Sequence, residues 1–364
     1  MQLERLWLTD FRNYAAAELH PAPDGLTVVT GANGEGKTNL LEAVGYLATL
    51  RSFRGAPGEA LVRAGAPVAV VRAEARRDGR GLLLEAELHP TGRDRVQVNR
   101  QPLKRTRDLL GALQVTVFAP DDLELVKGGP AARRRYLDDL LVALHPRHDA
   151  TQTELDRVLR QRNTLLRQAG GRATPDVVAT LEVWDAKLAD AGEKLVTARR
   201  GLTAALEPLV SSAYAQVAEA ARLRGSHVGV RLAYQASWEG GLAAALAAAR
   251  GDDLRRGVTT VGPHRDELGC WIGDLPARTH ASQGEQRSLA LGLRLGGHRL
   301  VAERIGSAPV LLLDDVFSEL DADRSAALLD ALPAGQALLT TAGSPPPGAE
   351  ARHVVRVEGG KLLP

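Results

Sequence analysis

Gly31-Ala32-Asn33-Gly34-Glu35-Gly36-Lys37-Thr38 reads as a G-x-x-x-x-G-K-T phosphate-binding loop. Its setting is the one the motif needs. Leu26–Thr30 before it is a short buried-strand run, and Asn39–Val44 after it starts a helix. Each residue type has a chemical reason. The glycines let the backbone curl so that successive N–H groups converge on phosphate oxygens. The helix behind them adds the positive end of its dipole. Lys37 supplies a point charge for the β- and γ-phosphates, and Thr38 a hydroxyl for Mg2+. The expected ligand is ATP with Mg2+, held by Gly31, Ala32, Asn33, Gly34, Glu35, Gly36, Lys37, Thr38 and Asn39.

The second half of the chain supplies the partners such a site requires. Val310-Leu311-Leu312-Leu313-Asp314-Asp315 is an apolar strand ending in two carboxylates, the Walker B pattern. Asp314 is expected to hold Mg2+ with Thr38, and Asp315 to sit toward the attacking water. Upstream, Ala281-Ser282-Gln283-Gly284-Glu285-Gln286-Arg287 opens a helix. Its Ser-x-Gly-x-Gln resembles the signature motif of ABC-type ATPases. It offers a hydroxyl, a bare backbone N–H and a helix N-terminus, together a second phosphate-binding surface. The same residues spell a capping box, Ser282 capping and Glu285 closing it; both roles use the same N–H groups. In the ATPases it resembles, the signature grips the γ-phosphate held by the other subunit. One loop and one signature per chain then make a complete site out of two chains, an ATP-dependent head-to-tail homodimer. Ser318-Glu319-Leu320-Asp321 matches the D-loop that lies across such an interface.

Bulk properties agree with a large soluble protein. A chain of 364 residues can bury more than one core, which makes two domains the expectation. No apolar run is long enough to span a membrane, and the start lacks a secretory leader pattern, so the expected location is the cytoplasm. The single cysteine, Cys270, excludes an internal disulfide and a cysteine-cluster metal site. Net charge is only +2, and arginine so outnumbers lysine that no single arginine cluster, Arg133-Arg134-Arg135 included, singles out a DNA-facing surface.

Along the chain, strand-like runs occur at Leu3–Leu8, Val68–Ala73, Leu82–Leu88, Arg95–Val98 and Val115–Phe118. From Pro130 the texture turns helical: Ala131–Leu144, then Thr151–Gln168, then a helix capped by Thr174 and led by Pro175. Val177, Leu181, Trp184, Leu188, Ala191, Leu195, Ala198, Leu202, Ala205 and Leu209 follow at alternating steps of four and three, the spacing of a coiled-coil seam. Strand-like runs return from Val258–Val261, through Leu268–Ile272 and Gln336–Thr341, to His353–Val357. The expected architecture is therefore α/β: an ABC-type ATPase domain of mixed sheet plus helices, residues 1–125 and 257–364. A helical arm, 126–256, interrupts it as a short antiparallel coiled-coil-like hairpin.

The order and spacing of these blocks resemble one family, the RecF recombination mediators, which are related to SMC and Rad50 proteins. The resemblance covers essentially the whole chain. Besides the motifs above it rests on Asp10-Phe11-Arg12-Asn13-Tyr14, Arg51-Ser52-Phe53-Arg54, Phe118-Ala119-Pro120-Asp121-Asp122-Leu123, Gly128-Gly129-Pro130 and Gly262-Pro263-His264-Arg265-Asp266. It implies ATP-dependent dimerisation and binding of double-stranded or gapped DNA. It also implies slow ATP hydrolysis that releases the DNA, cooperation with a RecR-type partner, and loading of RecA at single-stranded gaps. It further implies that Arg12, Asn13 and Asp321 join Ser282, Gln283, Gly284, Glu285 and Gln286 around the nucleotide. Two departures from the wider ABC pattern stand out. Asp315 replaces the usual glutamate, and Leu338-Leu339-Thr340-Thr341 fills the switch position where transporters carry histidine, leaving Thr340 or Thr341 beside Lys37 and Asp315 in the catalytic set. No clean Q-loop is visible; Gln114 and the Phe118–Asp122 turn are the candidates. The alternatives are an ATPase subunit of a membrane transporter, which would carry a switch histidine, and an SMC-like architectural ATPase, which would carry far longer arms.

Overall fold

The computed structural model describes residues 1–220 and 229–363. The chain divides into two compact units. One comprises Met1–Leu123, Leu209–Gly229 and Ser282–Pro364, the other Glu124–Pro208 and Val230–Ala281.

In the first unit the phosphate-loop strand lies inside a six-stranded sheet. In order across it run Lys361–Leu363, Ala351–Glu358, Gly25–Thr30, Gln336–Thr341, Val310–Asp314 and Val115–Phe118. All pair in parallel except the edge strand Lys361–Leu363. Strands covered on both faces can be apolar at every position, and side chains alternate between the faces. Leu26, Val28, Leu311, Leu313 and Leu339 enter one core. Val29, Val310, Leu312 and Leu338 enter the other. The first core is closed by the helices Gln283–Ile305 and Ala322–Ala331 and by the end of Pro175–Ala220. The second contains the loop helix Lys37–Thr49 and, beyond it, an antiparallel sheet that begins with the hairpin Gln2–Phe11 and Tyr14–Leu19. Glycines at 292 and 296 let two helices cross closely: a Cβ would sit 3.2 Å from Tyr214 N and 2.9 Å from Val210 N, respectively.

The second unit is built on the expected helical hairpin. Arg147–Ala169 ends at Gly170, whose φ of 57° lies in the left-handed region, and Pro175–Ala220 then runs for 46 residues. Thr174 Oγ1 accepts from Val177 N at 3.4 Å, as a cap should. The four–three stripe is only part of the buried face. Leu181, Leu188, Ala191, Leu195 and Leu202 are buried, and so are Asp185, Gly192 and Arg199 between them. So wide a face belongs to a helix with several neighbours rather than to a two-stranded seam. The unit also contains the helix Leu242–Arg256 and a three-stranded antiparallel sheet of Val230–Gln235, Glu267–Ile272 and Leu275–Pro276.

Further features differ from the sequence reading. Val258–Val261 is a loop, because side chains take the donors that a neighbouring strand would use. Thr259 N bonds Asn163 Oδ1 and Thr260 N bonds Asp253 Oδ1, at 2.8 and 2.9 Å. His264 Nε2 donates to the Thr259 carbonyl at 3.1 Å, a structural use of that histidine. The return to the first unit lies at Ser282 rather than at 257, since Glu267–Ile272 pairs with Val230–Gln235 within the second unit. Leu209 onward also belongs to the first unit, not to the arm expected at 126–256. Part of that arm, 221–228, lies outside the described residues.

His298 is 1 % exposed, with Nδ1 3.0 Å from Thr116 Oγ1. Burial, helped by the Arg299 charge, pushes its pKa from 6.5 down to about 4. Between those values the unfolded chain takes the proton first. Stability present above pH 6.5 is therefore expected to fall by about 3 kcal/mol as pH drops toward 4. Urea unfolding at pH 7 and pH 4.5 measures this, and His298→Gln should shrink the difference. An equal difference in the variant would assign the acid lability to other groups.

Candidate nucleotide site

The carboxyl ends of three adjacent parallel strands meet at one edge of the central sheet. In register, Asp314 faces Thr340, and Thr340 faces Val29, just before the loop. Ligands bind beyond this edge of parallel sheets because the following helices present their N-termini there. Thr38 Oγ1 and Thr340 Oγ1 both donate to Asp314 Oδ1 at 2.8 Å, and Asp315 N donates to Thr340 Oγ1 at 3.0 Å. The loop, the Walker B strand and the strand between them are thus joined through side chains. Burial holds the Asp314 carboxyl above its ordinary range, while the Thr38 and Thr340 donors and the charge of Arg54 pull it back. Asp315 has φ 49°, a left-handed backbone that is costly for a residue with a side chain.

The loop's shape depends on contacts behind it. Lys37 Nζ donates to the carbonyls of Gly31 and Ala32, both at 2.8 Å. Tyr14 Oη donates to the Gly36 carbonyl at 2.9 Å. Asn13 Nδ2 donates to the Glu35 carbonyl at 2.7 Å, and Asn39 Nδ2 donates to Asn13 Oδ1 at 2.8 Å. Gly36 has φ 113°, and a Cβ there would lie 2.4 Å from Asn13 Nδ2, so only glycine fits. The Glu35 carboxylate accepts from Gly359 N. A cleft of about 620 Å3 opens beside the loop, lined among others by Gly31, Glu35, Ser344, Arg356 and Glu358. Ala32, Asn33 and Gly34 are exposed.

Other expected site residues are engaged elsewhere. Arg12 does not turn its guanidinium to the loop; Nε and Nη2 form a two-pronged pair with Glu42, each at 2.7 Å, and Nη1 donates to the Ala60 carbonyl. Glu42 is fully buried in the loop helix, so it needs this partner. Ser52 Oγ donates to Glu42 as well. Ser282 and Glu285 form the complete capping box: Glu285 N donates to Ser282 Oγ, and Ser282 N to Glu285 Oε2. Gln283 is exposed, Gly284 half-buried and Gln286 buried. Asp321 caps the helix Ala322–Ala331, accepting from Arg324 N at 2.8 Å. Gln114 sits at the amino end of strand Val115–Phe118, where its carbonyl takes Val310 N, the wrong end for a Q-loop. Sequence reasoning gave no site role to Glu42, Ser52, Tyr14 and Arg54, although the last three stand in blocks that carry the family resemblance. For Glu42 the signal was a glutamate within the apolar run Leu40–Val44.

This fold and site define a P-loop ATPase head of the SMC type. The family RecF/RecN/SMC N terminal domain matches residues 2–342. A protein called DNA replication and repair protein RecF from Streptomyces avermitilis is 46% identical over 353 residues, 94% of this chain and 93% of its own. The same-named protein of Frankia alni is also 46% identical, with equal coverage. A solved structure of the recombination mediator protein RecF with ATP in the RecFOR pathway superposes with a TM-score of 0.89 at 29% identity, covering 100% of this chain and 97% of that one. An SMC head from Pyrococcus furiosus shares the fold, with a TM-score of 0.56 at 16% identity over 100% of this chain and 96% of that one. The chain belongs to the RecF family. No described helix is long and apolar enough to cross a membrane.

A carboxyl held above its ordinary value by burial destabilises the fold once ionised, so its cost appears as pH rises through that value. Asp314→Asn should therefore raise the melting temperature of the nucleotide-free protein at pH 7.5, with the gain shrinking toward pH 4. An equal or lower melting temperature at pH 7.5 would count against a buried, penalised carboxylate.

Proposed function

We propose that this protein is an ATP-gated DNA-binding protein of DNA replication and recombinational repair. ATP joins two copies head to tail, the dimer holds double-stranded or gapped DNA, and slow hydrolysis releases it. Its product is a loaded partner: with a RecR-type protein it helps place RecA on single-stranded gaps. The observation that carries the reading is the Thr38–Asp314–Thr340 cluster beside the phosphate loop, on the same chain as a capped signature. The relatives named for DNA replication and repair support it, and they disfavour a transporter subunit.

In this reading the loop N–H groups and the Lys37 ammonium bind the triphosphate of ATP. Thr38 and Asp314 offer a hydroxyl and a carboxylate, the hard oxygen donors that suit Mg2+. A buried carboxylate penalised for its charge gains most from a cation beside it. When bound, the ion neutralises charge on the phosphate oxygens. Asp315 serves as the carboxylate nearest the attacking water. Its short side chain on a strained backbone fits slow turnover. Thr340, holding both Asp314 and the Asp315 amide, orients that end of the site in place of a histidine. Asn13 supports the loop, and Arg12 supports it through Glu42. Ser282, Gln283, Gly284, Glu285, Gln286 and Asp321 belong to the face offered to the second copy. The protein works in the cytoplasm.

Sedimentation with and without ATP tests the gluing step. Lys37→Ala should stay monomeric with ATP. Ser282→Arg should bind ATP as the natural chain does yet fail to dimerise; dimers in either variant would refute it. DNA affinity should rise with ATP and fall steeply with salt, about tenfold or more between 50 and 200 mM.

A further inference from the structure

Where the long helix Pro175–Ala220 crosses the signature helix Gln283–Ile305, a buried hydroxyl has no partner among the described residues. A Cβ on Gly292 would lie 3.3 Å from Tyr214 Cβ, so the tyrosine lies directly against the signature helix. Glu285, Ser288 and Gly292 are spaced by three and four residues and share the face turned to that crossing. Tyr214 is fully buried, and among the described residues its hydroxyl has no hydrogen-bond partner. Ser288 Oγ, on the same face, is likewise buried with no partner among the described residues. Buried hydroxyls without partners are rare because they are costly.

A charge on the signature helix points to a reason. Burial, and then the Glu285 carboxylate, pushes the Tyr214 phenol up to about 12. Glu285 itself is engaged by the cap of its own helix. Its Oε2 accepts from Ser282 N and Ser282 Oγ, both at 2.7 Å. The Ser282 hydroxyl is thus turned back onto its own helix, and its single proton cannot serve a phosphate oxygen at the same time.

We propose that Tyr214 is the positioning residue of the signature, its hydroxyl taking over the Glu285 carboxylate when Ser282 Oγ leaves it for a phosphate. The inference rests on the ATP-dependent pairing of two copies proposed above. Turning Ser282 outward removes one donor from Glu285 just as an anion approaches, which is unfavourable for a carboxylate. A phenol donor replaces the lost bond, and the same exchange satisfies the orphaned hydroxyl. The capped state carries an unpaired group that the phosphate-gripping state does not, which brings the two states closer in free energy.

Tyr214→Phe removes the hydroxyl and keeps the ring. Three results are expected: an unchanged or higher melting temperature without nucleotide, unchanged ATP binding by the monomer, and ATP-dependent dimerisation about tenfold weaker in sedimentation. A hydroxyl with a merely structural role would instead lower the melting temperature and leave dimerisation alone. Either a lowered melting temperature or wild-type dimerisation in the variant overturns the inference. Absence of ATP-dependent dimers in the unsubstituted chain overturns the pairing itself, and the inference with it, so the two failures are told apart.

Discussion

One oxygen of Asp314 accepts hydrogen bonds from hydroxyls on two other elements, Thr38 at the start of the loop helix and Thr340 on the neighbouring strand. The three residues are 276 and 26 positions apart in the chain. They meet because strands Gly25–Thr30, Gln336–Thr341 and Val310–Asp314 pair in parallel with one register. A slip of one residue would turn Thr340 to the other face and bury a hydroxyl in the core that Leu339 now fills. Leu311, Leu313 and Leu339 on one face, and Leu312 and Leu338 on the other, hold that register against slippage. The apolar cores and the polar edge are thus one constraint, met by alternate residues of the same strands.

Buried charge does a second job, fixing backbone that has no ladder to hold it. Glu42, Arg12 and Ser52 tie the loop helix to the turn of the first hairpin and to the segment after the helix. In the inserted unit Arg162, fully buried, bonds Asp185, Asp253 and Thr259 and holds the loop before Gly262. Such groups gain little net stability, since desolvation opposes the pairing. Losing one partner is far more costly than never having had the pair, so these contacts confine the backbone to one arrangement.

In the function proposed above, the capping box lets one set of groups serve structure and chemistry at different times. Ser282 and Glu285 satisfy the exposed first turn of the signature helix in the isolated chain. The same amides and hydroxyl are those a phosphate would use.

The sequence alone determined most of what is local or periodic. The glycine pattern and Lys37-Thr38 specified the loop, because few other residues tolerate that backbone. The apolar run Val310–Leu313 before Asp314 specified a strand covered on both faces. Strands at Arg95–Val98, Val115–Phe118 and Gln336–Thr341 fall on the bounds read from the chain. Only the tertiary structure decided which polar groups pair. Arg12 turned to Glu42, Gln114 fell at the far end of its strand, and Asn163 and Asp253 took the donors of Val258–Val261 that a strand would have used. It also decided that Glu267–Ile272 belongs with Val230–Gln235, and so where the inserted unit ends. The physical reason is the same in each case. Backbone preference and hydrophobic period are set by neighbours in sequence, whereas a buried polar group takes whichever partner the packed chain brings within about 3 Å.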